Sequence, residues 1–312
     1  MLITRKSVLL VTLMPTITLL LSGCHAVLLN PKGWVGASEK ELIIIATVLM
    51  LIVVVPVCVM TVVFAWRYRA SNTTATYSPN WGHSHKIEFF MWFIPIIIIT
   101  ILAIITWRST HKLDPYRPLY HVPGKPLLIQ AVSLNWKWLF ILPEQGIATV
   151  NYLEIPVNRS LHFKVAADGP MNSLMIPQLG GQIYSMPGMQ SQLHLIANYK
   201  GLYDGYAVSF SGAGFSQMNF KARAVSDKAF NQWVRKVRSS GNSLDVAEYN
   251  RINKPSINFP VTTYSRVKDG LFQDIIMQYM MPGMRDDDGN LIAMDQRMTM
   301  AMVRHLSTAS PR

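Results

Sequence analysis

Few residues in this chain of 312 are suited to chemistry, and their spacing narrows what that chemistry can be. Its two cysteines, Cys24 and Cys58, lie in apolar stretches. They make neither a disulfide framework nor, by themselves, a thiolate metal site, and Cys58 reads as a small packing residue. His83 and His85 form a His-x-His pair in a basic loop. With no third ligand assigned to them, they are expected to solvate lipid headgroups rather than hold a metal. Glu88 opens a charge-free run, seven residues before Pro95. An ionisable group at a membrane segment points to proton movement. A carboxylate there also suits the positive end of a helix dipole, and the sequence leaves the two roles open. Near the C-terminus, Met294, Met298, Met300, Met302 and His305 are soft donors that can take Cu(I), although a polar stretch such as 282–312 reads first as a flexible tail.

These residues need a scaffold, and composition says which kind. Half of the chain is hydrophobic and 15% is charged, against about 25% in an ordinary soluble domain. The net charge of +12 is scattered without a dense basic run, which argues against a nucleic-acid partner. Residues 42–66 and 89–107 carry no charge. At about 1.5 Å per residue, both are long enough for a hydrocarbon core of about 30 Å. Trp66, Trp92 and Trp107 lie at or near their ends, as interfacial anchors do. The loop 67–88 between them holds Arg67, Arg69 and Lys86, so it is expected inside the cell, with segment 24–41 and everything after Trp107 outside.

Residues 1–23 read as a targeting segment: Arg5 and Lys6 precede the charge-free stretch Ser7–Leu21. The closing Leu21-Ser22-Gly23-Cys24 resembles a bacterial lipoprotein signal, which implies that the Cys24 thiol carries a diacylglycerol. An uncleaved first helix is the alternative.

Beyond residue 112 the pattern changes. Leu161, Phe163 and Val165 alternate with polar residues, as do Leu193 and Leu195, and Met218, Phe220 and Ala222. Period two, broken at Pro143–Gly146, Asp168–Pro170 and Gly212–Gly214, predicts a β-sandwich or barrel over 112–226. Over 227–281 the period becomes helical, first through Phe230, Trp233, Val234 and Val237, then through Leu271, Phe272, Ile275, Ile276 and Tyr279. The expected architecture is membrane α plus β: a two-helix transmembrane hairpin, a sandwich and short C-terminal helices packed on the sandwich or on a partner.

Two spans followed by an outer β-domain resemble subunit II of the haem–copper respiratory oxidases. The strings Trp136-Lys137-Trp138-Leu139-Phe140, Ile176-Pro177-Gln178-Leu179-Gly180, Met186-Pro187-Gly188 and Gly201-Leu202-Tyr203-Asp204-Gly205 carry the resemblance. With Pro143–Val150 they bring it closest to the cytochrome bo-type ubiquinol oxidases. The resemblance implies a cupredoxin-like domain. In the cytochrome c oxidases that domain holds two coppers on the pattern His, then Cys-x-Glu-x-Cys-x3-His-x2-Met. Here Asn172 takes the place of the first histidine, Ala207 and Ser211 of the cysteines, Ser209 of the glutamate and Phe215 of the second histidine, and only Met218 is kept. Alanine and serine offer no soft anionic donor, so no metal is expected on this chain, and Met218 reads as a core residue on a strand.

By the same resemblance, electrons come from ubiquinol at subunit I, where the haems and one copper are expected. The partners implied are subunit I, the other oxidase subunits and membrane lipid, in the inner membrane of a bacterium with the large domain in the periplasm. Glu88 matches the glutamate at the mouth of a proton path, and Trp136 the electron-receiving aromatic, here left with a structural role. The reading is subunit II of a proton-translocating quinol oxidase that reduces oxygen to water. A copper-carrying subunit of a cytochrome c oxidase and a membrane-anchored lipoprotein binding module are the alternatives.

Overall fold

The computed structural model describes residues 27–76, 80, 82–120, 122–281, 283–286 and 288–292. Cys24, the targeting segment and the methionines from Met294 onward lie outside them.

Helix α1 spans Trp34–Arg67 and α2 spans His85–Lys112, each longer than its charge-free run. Both are long and apolar enough to cross a membrane, and their apolar windows bury nothing within the chain. Pro56 and Pro95 lie inside them. Thr47, Thr61 and Thr100 donate their hydroxyls to the carbonyls four residues back, so these polar groups are satisfied within the helix, as lipid requires. Cys58 is exposed on α1 rather than packed within the chain.

The outer end of α1 is seated on the soluble domain. Val35 and Gly36 are its buried residues. The Lys32 N–H donates to Gln178 O at 2.7 Å and the Gly36 N–H to Leu179 O at 3.0 Å. A side chain at Gly33 would run into the carbonyl of Ile196, so the approach depends on glycine. The string Ile176–Gly180 thus serves as the socket of the first membrane helix.

The domain is a sandwich of ten strands with later additions. Strands β1 (Leu127–Leu134), β2 (Lys137–Leu142), β3 (Ile147–Val150), β5 (Ser160–Ala167) and β8 (Ser191–Ile196) form one sheet. In it β12 (Thr262–Tyr264) pairs with the β3 edge, giving the order β12-β3-β2-β1-β5-β8. The facing sheet takes β4 (Tyr152–Pro156), β10 (Asn219–Val225), β9 (Gly201–Ala207), β6 (Asn172–Met175) and β7 (Gln182–Ser185) in that order. Parallel pairing of β1 with β5 and of β4 with β10 marks crossovers between the sheets.

Alternation puts Leu127, Ile129, Trp138, Phe140, Leu161, Phe163, Leu193 and Phe220 into the core between the sheets. At Gly205 any Cβ would fall inside the Phe220 ring, so the sequence must be glycine there. Helix α3 (Asp227–Arg238) closes one end of this core with Phe230, Val234 and Val237.

A second core forms on the outer face of the six-stranded sheet. Leu139, Ile141 and Val150 there meet Tyr249 and Ile252 of α4 (Val246–Asn253), Tyr264 of β12, and Leu271, Phe272, Ile275 and Ile276 of α5 (Leu271–Met277). The extension therefore packs on the sandwich of its own chain. It also contains α4 and the short strands β11 (Ser243–Leu244), β12 and β13 (Arg266–Val267), which the helical period did not reveal. Packing continues past residue 281, where the sequence suggests a flexible tail: Met284 and Leu291 are buried.

Candidate functional site

The β1–β2 hairpin, the β6 strand and the loop after β9 bring the residues at the metal positions together. Asn172 opens β6 and is fully buried. Its Nδ2 donates to Ser211 Oγ at 2.9 Å and to Met218 Sδ at 3.4 Å. Its Oδ1 accepts the Ser173 N–H at 2.8 Å and the Ser209 N–H at 3.3 Å. The Ser209 and Ser173 hydroxyls lie 2.7 Å apart. Ala207 ends β9, and its N–H donates to Met218 O at 3.1 Å. Phe215 starts a 3-10 turn, Phe215–Gln217, and packs partly buried against the core. Met218 is buried as expected, although it caps that turn rather than lying on the strand that follows.

The chemistry of this set is plain. It contains no thiolate and no imidazole. The amide of Asn172 spends both ends on neighbours, which leaves one thioether already facing an N–H. Two coppers need bridging soft anions, and the residues present do not fit them.

Trp136 completes the pocket from the hairpin turn. Its φ of 63° is left-handed, a strained conformation for so bulky a residue. The ring is held by an Nε1–H bond to Ser211 O at 2.9 Å; Gly214 presses on it so closely that a side chain there would collide with the indole, and one at Gly212 would crowd it. A two-residue turn, Asn135-Trp136, ends β1 there and opens β2.

Its neighbour Lys137 points the opposite way and is fully buried. The Nζ donates to Ile252 O at 2.7 Å and Lys254 O at 2.8 Å and lies 5.0 Å from the centre of the Phe259 ring. Asp168, 2% exposed, holds the same extension from the far end of β5. It accepts from the Tyr249 hydroxyl, from Asn253 Nδ2 at 2.8 Å, from Tyr279 OH at 2.7 Å and from Arg285 Nη2 at 2.6 Å. Burial and this carboxylate push the Tyr249 and Tyr279 hydroxyls well above the ordinary tyrosine range. Sequence reasoning passed over both anchors. A lysine inside an otherwise apolar strand was the available signal, because lysine is rarely buried unless paired.

Burial, followed by the charge of Arg251, pulls the Lys137 ammonium down to about 8. Its folded value thus lies below its unfolded one. Between about pH 8 and pH 10.5 the unfolded chain holds a proton that the folded chain lacks, so this group makes stability rise with pH in that window. In thermal melts of the wild type against Lys137→Met, the advantage of the wild type is expected to widen from pH 8 to pH 10. A gap that is flat across this range would contradict it.

The second group of candidates lies at the inner ends of the membrane helices. Glu88 sits in the first turn of α2. His83 Nδ1 is 3.0 Å from Glu88 Oε1, and His85 Nδ1 is 4.0 Å from Oε2. The sequence assigned the histidine pair no third ligand; one turn of helix supplies the carboxylate, and the three ligand atoms lie within 4.8 Å of one another. All three side chains are exposed. A carboxylate beside imidazoles can accept a proton on one atom and release it from another.

Residues 128–225 match the family model for the cytochrome c oxidase subunit II periplasmic domain, and residues 238–283 match the COX aromatic rich motif. Over 261 residues the chain is 56% identical to the cytochrome bo(3) ubiquinol oxidase subunit 2 of Pseudomonas aeruginosa, covering 84% of this chain and 78% of that one. The chain belongs to the subunit II family of bo(3) ubiquinol oxidases. The ubiquinol oxidase subunit 2 of Acetobacter aceti is 51% identical over 262 residues, 84% of this chain and 85% of that one. Among solved structures, the periplasmic domain of cytochrome oxidase subunit II from Bradyrhizobium japonicum matches 37% of this chain at 24% identity, with a TM-score of 0.35.

As a subunit II of this kind, the chain is part of an oxidoreductase complex, a membrane-anchored subunit with a periplasmic cupredoxin-like domain. The quinol-oxidase reading holds over the cytochrome c oxidase alternative. The aromatic-rich region covers most of the extension that Lys137 and Asp168 clamp in place.

Proposed function

We propose that this subunit carries no redox metal and works in the oxidase as a scaffold and a proton-uptake element. Electrons pass from ubiquinol to oxygen within subunit I, in the overall reaction 2 ubiquinol + O2 to 2 ubiquinone + 2 H2O. The observation that carries the reading is the closed hydrogen-bond set of Asn172 with Ser211, Ser209 and Met218. A water-soluble donor docking outside needs a relay in this domain. A quinol dissolved in the bilayer reaches the membrane subunit without one. Trp136 then braces the pocket and is no electron receiver.

Glu88, with His83 and His85, collects protons from the inner aqueous side at the foot of α2. Arg67, Arg69 and Lys86 on the same loop support that orientation. The Cys24 thiol carries the lipid, which adds a third hold on the outer leaflet beside the two helices.

Metal analysis of the purified oxidase tests the first claim. No dinuclear copper signal is expected in its electron paramagnetic resonance or near-infrared spectra, and about two coppers bound to this chain would overturn it. Intact-mass measurement tests the lipid: the expected mature chain starts at Cys24 and is heavier by a diacylglycerol, and an uncleaved Met1 would exclude it.

A further inference from the structure

Where the outer ends of α1 and α2 meet the sandwich there is a cavity of about 310 Å³, lined by Trp34, Glu39, Lys112, Asp114, Arg117 and His194 among others. The wall is bipolar. Two carboxylates, Glu39 and Asp114, share it with two cations, Lys112 and Arg117. None of the four forms an ion pair among the described residues. Each is instead steadied by a weaker contact. Glu39 Oε1 lies against the Gly181 backbone, 2.9 Å from where a Cβ would stand, and the Lys112 ammonium sits 5.3 Å from the centre of the Trp34 ring. Arg117 Nη1 donates to His111 O at 3.1 Å, and Asp114 Oδ1 accepts the Tyr116 N–H at 2.9 Å. Four charges arranged around one cavity without satisfying each other suit a ligand that brings both signs.

Depth identifies the ligand class. The charge-free run of α1 begins at Leu42, three residues from Glu39, and that of α2 ends at Trp107, five residues from Lys112. At about 1.5 Å per residue these offsets are roughly 4.5 and 7.5 Å. A headgroup layer occupies about 5–7 Å on each side of the hydrocarbon core. Below the cavity, Ile99, Leu102, Ala103, Thr106 and Trp107 form an apolar groove on α2 that reaches His111, the residue before Lys112. The geometry points to a bound glycerophospholipid of the phosphatidylethanolamine class. Its phosphate lies on Lys112 and Arg117, its primary ammonium donates to Glu39 and Asp114, and an acyl chain follows the α2 groove. A headgroup with phosphate alone would leave two carboxylates facing an anion, and a trimethylammonium has no N–H to donate. The assignment rests on the outward orientation of the domain under the proposed function.

Native mass spectrometry of the whole oxidase in mild detergent, supplied with synthetic phosphatidylethanolamine or phosphatidylglycerol, tests it. Lys112→Gln/Arg117→Gln and Glu39→Gln/Asp114→Asn are each expected to weaken retention of one phosphatidylethanolamine by about tenfold, equivalent to about 1.4 kcal/mol. Both variants are expected to assemble and consume oxygen like the wild type. A headgroup-placed photocrosslinker should mark residues 112–120 in the wild type only. Soluble glycerophosphoethanolamine at millimolar concentration should not compete. Equal retention in all three proteins, equal retention of phosphatidylglycerol, or crosslinking of this segment to another subunit without lipid would overturn the assignment. Those results would leave the metal-free quinol-oxidase reading intact, because copper content is measured separately.

Discussion

Replacing Asp168 by alanine is expected to free the C-terminal extension from the sandwich and to cost on the order of 3–5 kcal/mol, the range for breaking a buried charge pair by removing one partner. One carboxylate there receives four donors from three separate stretches: Tyr249 and Asn253 of α4, Tyr279 after α5, and Arg285 beyond it. Removing it leaves a fully buried phenol without its acceptor and a guanidinium without its counter-charge. Asp168→Asn keeps an oxygen acceptor but not the charge, so its loss should be intermediate. Limited trypsin digestion is a direct readout. Cleavage after Arg251 or Lys268 should appear in Asp168→Ala under conditions where the wild type is intact. Equal resistance would mean that apolar packing alone holds the extension.

The second large effect is expected at the other end of the molecule. Glu88→Gln keeps the size and one hydrogen-bonding oxygen but removes the group that takes up a proton. Steady-state oxygen consumption with ubiquinol as donor should fall about tenfold, equivalent to about 1.4 kcal/mol on the limiting barrier. Glu88→Asp should recover part of the rate. The His83 contact at 3.0 Å identifies the first neighbour, so His83→Ala should slow turnover less than Glu88→Gln does. Trp136→Phe is the control: it removes the bond to Ser211 O and some ring contact, lowers local stability and leaves turnover unchanged. A Glu88→Gln oxidase that assembles and turns over normally would leave Glu88 as a helix-start residue stabilised by the dipole.

Much of the architecture was legible in the residues because it follows from periodicity. Charge-free runs at 42–66 and 89–107 can be nothing but apolar helices of that length, and period-two alternation with glycine and proline turns reports sheet. The altered metal pattern was equally legible, since Ala207 and Ser211 lack the donor atoms whatever the fold does with them. The extension was legible only in part. The helical spacing of Phe230 to Val237 and of Leu271 to Ile276 was clear, whereas α4 is only eight residues long and β12 three, too short to show a period.

What the sequence determined by itself is therefore the kind of element at each stretch and the chemistry that its side chains lack, because both are local properties. What only the tertiary structure decided is which polar groups meet. Asn172 and Ser211 are 39 residues apart, Lys137 and Ile252 are 115 apart, and Asp168 and Arg285 are 117 apart. A hydrogen bond depends on distances of a few tenths of an ångström between atoms brought together by the sheets, and no local pattern encodes that separation. For the same reason a lysine that looks like a surface residue lies fully buried between the sandwich and its extension, and a turn aspartate is the point on which that extension is fastened.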